Sequence, residues 1–104
     1  MAVMESLFDM LADSGRRQIL DLLRVRERAA GEIVEAMRIS QPGVSKHLKL
    51  LREAGLVGVR GEGQKRIYWL RPEPFAELDR WLAPYRAFWN GKLDALGAHL
   101  NRDQ

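Results

Sequence analysis

The chain has no cysteine and only two histidines in 104 residues. Disulfides and thiolate metal centres are therefore excluded, and a tight transition-metal site within one subunit has too few soft ligands to draw on. No apolar run approaches the roughly 20 residues of a membrane span, and the N-terminus lacks the basic-plus-apolar pattern of a secretion signal. A cytoplasmic protein without a membrane partner is expected. No nucleophile-plus-base constellation, phosphate-cradling glycine motif or pair of carboxylates in an apolar setting is present, so neither an enzyme nor a cofactor is expected. Acid is scarce in one place above all. Residues 41–71 carry seven Lys or Arg against Glu53 and Glu62, a net +5, which leaves −2 for the remainder of a chain whose total is +3. Cationic charge gathered this way is the footprint of a phosphate-binding surface.

What is present suits one folded domain, residues 1–104, with 46% apolar and 30% charged residues. Its centre is Ile39–Val57. Ser40 can cap a helix N-terminus, Pro42 falls in the first turn where its missing N–H costs little, and Gly55 stands where a helix would end in a left-handed residue. Val44, Leu48 and Leu51 recur at i, i+4 and i+7, a core face. Gln41, Pro42, Ser45, Lys46, Lys49 and Arg52 occupy the opposite arc, suited to a major groove. His47 lies at the edge of the buried arc, suited to a structural hydrogen bond or to a phosphate contact. Upstream, Ile33, Val34 and Met37 mark a short amphipathic helix only a tight connection away, so residues 31–55 form a helix-turn-helix. Downstream, residues 56–70 read as two strands around the glycine-rich loop Gly61–Gln64, a wing whose Arg60, Lys65 and Arg66 face DNA. Gly58 marks a bulge or a close backbone approach.

These features resemble the winged-helix repressors of the arsenical-resistance (ArsR-type) family. The matching stretches are Leu11-Ala12-Asp13, Arg16–Leu23, Ser40-Gln41-Pro42, Val44–Leu48 and Leu51–Val57, and the resemblance covers residues 5–100. It implies an α+β, mostly helical winged helix-turn-helix of five helices and a two-stranded hairpin. It further implies a repressor that occludes a promoter. The Cys-x-Cys-x-x-Cys pattern of metal-sensing members falls on Ala29, Gly31 and Val34, none of which binds metal, and Asp79 and His99 do not complete the alternative site. Ser14 and Gly15 replace the family's usual Pro and hydroxyl residue, which loosens that turn. Ala29 and Ala30 leave the third helix without a capping hydroxyl.

The ends of the chain, residues 1–12 and 73–101, read as dimerisation helices. Met4, Leu7, Phe8 and Leu11 are helically spaced. From Phe75 onward, Leu78, Leu82, Tyr85, Trp89, Leu93, Leu96 and Leu100 form the steadiest apolar stripe in the chain, widened by Trp81 and Phe88. Pro84 within it predicts a kink or restart at residues 81–84. This is more apolar surface than one small domain can cover, so Leu7, Phe8, Leu11, Tyr85, Phe88, Trp89, Leu93 and Leu96 are expected at a homodimer interface. Arg16 and Arg17 are read as solvated arginines of a helix start, or less readily as phosphate contacts. The expected partner is double-stranded DNA carrying an imperfect inverted repeat, with the effector unspecified. The alternative is a winged-helix protein-interaction module or a non-specific DNA-binding protein.

Overall fold

The computed structural model describes residues 2–102, with side chains over residues 4–97. The side chains of His99 and Leu100 thus lie outside the described residues. Five helices and three strands follow in order: α1 (Ala2–Leu11), α2 (Ser14–Val25), β1 (Arg28–Ala29), α3 (Ala30–Met37), α4 (Gln41–Glu53), β2 (Val57–Glu62), β3 (Lys65–Leu70) and α5 (Glu73–Arg102). The winged helix-turn-helix is as the sequence predicts, except that the sheet has three antiparallel strands in the order β1-β3-β2. β1 comprises two residues, Arg28 opposite Tyr68 and Ala29 opposite Ile67. A strand that short has no alternation to detect and exists through its tertiary pairing.

Local chemistry sets the helix ends. Asp13 caps α2, its Oδ2 accepting from the Arg16 backbone N–H at 3.0 Å. Ala29 has no hydroxyl to cap α3, but the box is half made: Glu32 Oε1 accepts from the Ala29 N–H at 3.0 Å. α3 stops at Arg38, a non-glycine residue at φ 58°. Ser40 caps α4 by accepting from the Gly43 N–H at 3.2 Å. At the far end Gly55 adopts φ 82°, its N–H donating to Arg52 and that of Leu56 to Leu51, both at 3.0 Å. This is a Schellman stop, and its companion apolar pair, Leu51 and Leu56, is fully buried.

The core gathers Leu7, Ile19, Leu23, Ile33, Val44, Leu48, Leu51, Leu56, Val57 and the ring of Tyr68. Leu7 therefore corrects the expected interface: it is 0% exposed, consumed by its own domain, whereas its neighbour Phe8 is 44% exposed. Arg16 and Arg17 are not merely solvated. Arg16 donates to the Met10 and Asp9 carbonyls and Arg17 to that of Leu11, so α2 ties down the carbonyl end of α1. The restart expected at Pro84 is absent, and α5 runs unbroken through it. Pro84 and Arg80 are both exposed, so water can serve the carbonyl that the missing N–H leaves free.

Candidate nucleic-acid interface

α4 presents two faces. Val44, Leu48 and Leu51 enter the core, while Gln41, Pro42, Ser45, Lys46, Lys49 and Arg52 are all exposed. Lys46, Lys49 and Arg52 form no ion pair with any described residue. The cations are therefore unneutralised beside an amide and a hydroxyl, the mixture that can hold phosphates and meet base edges. In the wing Lys65 and Arg66 are likewise exposed and make no ion pair with a described residue, both at the start of β3 just after a two-residue turn at Gly63 and Gln64. The turn is shorter than the sequence suggests, because Gly61 and Glu62 pair with Arg66 and Lys65 within the ladder. Gly63 carries the positive φ, 64°, that this reversal needs.

Two expected contacts are placed differently from the rest. His47, at the edge of the buried arc as its spacing predicts, turns from the exposed face into the junction of α4 with α2, away from a phosphate contact. Its Nδ1 lies 4.0 Å from Asp13 Oδ2 and is buried without a hydrogen-bond partner among the described residues. A β-carbon on Gly15 would stand 3.0 Å from His47 Nε2. Gly15 thus makes room for the imidazole, a reason for that residue that the sequence does not disclose.

Arg60, expected as a free wing cation, is held by two carboxylates. Its Nη1 and Nη2 donate to Glu27 at 3.0 and 2.6 Å, and Nη2 also to Glu62 at 3.2 Å. Its guanidinium lies 5.8 Å from the Trp69 ring centroid. Hydrogen bonding from Arg60 holds the Glu27 carboxyl below the usual carboxylate range, and Glu27 in turn pushes the guanidinium further up. Both partners are therefore charged at neutral pH. The Trp69 ring owes its place to Gly58, directly opposite in the ladder, where a β-carbon would lie 2.3 Å from Trp69 Cζ2. Gly58 is a close approach, as one of its two sequence readings has it.

A second surface lies on the terminal helices. Phe8 and Trp81 meet edge-to-face at 5.9 Å, and Trp81 and Tyr85 pack at 4.9 Å, an aromatic ledge across α1 and α5. Beyond it Phe88, Trp89, Leu93 and Leu96 are 65, 42, 60 and 54% exposed. Leu11 is half-buried against the core.

Residues 13–59, from the α2 cap into the first strand of the wing, match the bacterial regulatory protein, arsR family. A transcriptional repressor of Bacillus subtilis (strain 168), SdpR, is 34% identical over 79 residues, which span 76% of this chain and 88% of SdpR. The chain belongs to the arsR family. The arsenical resistance operon repressor of Staphylococcus aureus is 39% identical over 64% of this chain and 64% of its own length. Among solved structures, an ArsR family transcriptional regulator superposes with a TM-score of 0.75 at 26% identity, covering 85% of this chain and 97% of that one. Family and fold are those of DNA-binding transcriptional regulators rather than enzymes. Among the described residues no helix is long and apolar enough to cross a membrane.

Proposed function

We propose that this arsR-family protein is a cytoplasmic, homodimeric repressor that binds an imperfect inverted repeat and silences a promoter by occupying it. The observation that carries the reading is the exposed, acid-poor edge of α4. Gln41 reads a base there, with Pro42 against the groove wall, while Lys46, Lys49 and Arg52 meet backbone phosphates beside Lys65 and Arg66 of the wing. Phe8, Leu11, Tyr85, Phe88, Trp89, Leu93 and Leu96 supply the pairing surface. The names of SdpR and the staphylococcal protein support repression. Metal is not the signal, since Ala29, Gly31 and Val34 offer no ligand atoms.

Selection of bound duplexes from a random pool tests this. An inverted repeat should emerge, and zinc or arsenite should not release it. Gln41→Ala should relax preference at one base pair per half-site, at a cost of about 1–3 kcal/mol. Equal loss on selected and random DNA would remove Gln41 from base reading. Failure to enrich any sequence would favour a non-specific binder, and failure to bind DNA at all a protein-interaction module.

A further inference from the structure

Between α4 and the wing lies a recess of about 320 Å³ lined by Ser45, Lys49, Arg52, Arg66 and Tyr68. Simple periodicity brings these side chains together. Ser45, Lys49 and Arg52 fall at i, i+4 and i+7, one stripe of α4, while Arg66 and Tyr68 are two apart on β3 and share a face of the sheet. No acidic residue lines the recess. Its three cations make no ion pair with a described residue, unlike Arg60 on the neighbouring strand. Three like charges facing one small space repel one another, and an oxyanion between them relieves that repulsion.

Tyr68 adds an independent observation. It is 8% exposed, with its ring in the core. Its hydroxyl makes no hydrogen bond with the described residues, yet it is not among the sealed, unsatisfied polar atoms. A tyrosine buried to this extent normally places its hydroxyl on a partner. Tyr68 lines the recess, and the hydroxyl is the one polar group its side chain has to offer there.

We propose that the recess seats one backbone phosphate of duplex DNA, with the Tyr68 hydroxyl donating to a non-bridging oxygen and Arg66, Lys49 and Arg52 surrounding the charge. The inference rests on the DNA-binding reading and deepens it. It adds Tyr68 to the contacts and places Ser45, on the groove-facing arc of α4, at the backbone rather than at a base edge. One phosphate held jointly by α4 and the wing would fix the register of the reading helix in the groove.

The test compares wild type with Tyr68→Phe, which keeps the ring and the core volume; an unchanged melting temperature verifies this. On duplexes recovered by selection and on random duplexes alike, Tyr68→Phe should weaken binding about ten- to hundredfold, as loss of a hydrogen bond to a charged group does. The salt dependence should not change, because no charge is removed. Arg66→Gln should lower the salt slope by about one ion per subunit. A scan placing one neutral methylphosphonate at each backbone position should then find a position where wild type loses affinity and Tyr68→Phe loses nothing more. Equal affinities of wild type and Tyr68→Phe, or additive losses at every position, would overturn the proposal while leaving DNA binding intact. No binding of any duplex by wild type would instead bring down the underlying DNA reading. Isothermal titration with inorganic phosphate separates the remaining source: if Tyr68→Phe abolishes phosphate binding but leaves DNA affinity unchanged, the recess serves a free anion and the DNA assignment fails.

Discussion

A β-carbon on Gly58 would stand 2.3 Å from Trp69 Cζ2 and 2.4 Å from Cε2. Gly58→Ala must therefore displace the indole, and with it the surface over which Arg60 rests. Destabilisation of about 1–3 kcal/mol is expected, as for other overpacked sites, read as a lowered melting temperature together with a shifted Trp69 indole resonance. Unchanged values of both would show that the strand relaxes freely. Glu32 supports a second residue-level prediction. Its carboxyl lies below the ordinary range because it accepts the Ala29 N–H and then an Arg26 N–H. Asp13 is lowered by the Arg16 N–H and then by the Arg16 charge. Both are depressed, so their contribution is complete above the unfolded carboxylate range, about 4, and is lost as pH falls through the lowered folded values. Melting temperature should hold on descending to about pH 5 and fall below about pH 4. Glu32→Gln, which still accepts the Ala29 N–H, should make that acid limb shallower; an identical limb would show that Glu32 does not report on folding. Gly58 and Ser40 were legible because they act on near neighbours or on one ladder partner. The burial of Leu7 rather than Phe8 was not, since which of two adjacent residues turns inward depends on how the helix is rotated against the rest, and neither was the Asp13–Gly15 setting of His47, which another helix supplies.

At the scale of elements, α4 is the clearest instance of a segment written in its own residues. Ser40, the 44-48-51 stripe and Gly55 each specify one feature, and all agree. β1 and the hold on Arg60 are the opposite case. Glu27 stands 33 positions from Arg60, on a connection with no periodicity, and meets it only once the sheet has formed. The wing therefore presents Lys65 and Arg66 without an ion pair to any described residue, and Arg60 neutralised. Glu27→Gln combined with Glu62→Gln removes both opposing charges around Arg60 while retaining groups that can accept. With Arg60 released, affinity for any duplex should rise about two- to fivefold and the salt slope steepen by up to one ion per subunit. A loss of affinity instead would mean that the clamp braces the wing in its binding posture, and that Arg60 belongs to the scaffold.

The whole molecule is longer than its length in residues requires. Its radius of gyration is 18.2 Å and its extents are 62 × 33 × 21 Å, whereas a compact chain of this size has a radius near 13 Å. The 30-residue α5 accounts for the difference, since a helix of that length spans about 45 Å. Its second half carries Phe88, Trp89, Leu93 and Leu96 into solvent, with the Phe8–Trp81–Tyr85 ledge at its base. The stripe was legible from spacing alone, whereas the arm's freedom from its own domain was not. A second copy related by a twofold axis would cover this apolar face and set two α4 helices on one side of the duplex, about 34 Å apart. Phe88 is a clean site for testing this pairing. At 65% exposed it contributes little to its own domain, so Phe88→Ser with Leu93→Ser should leave the helical circular-dichroism signal intact. Loss of central apolar anchors should weaken pairing by at least about 2 kcal/mol, or roughly thirtyfold in the dissociation constant. Sedimentation should then find monomers where wild type sediments as dimers. Affinity for a full inverted repeat should fall towards that for a half-site, which should itself be unaffected. Wild-type protein that sediments as a monomer at micromolar concentration while binding the full repeat tightly would rule out the pairing and leave the α5 arm without a twofold partner.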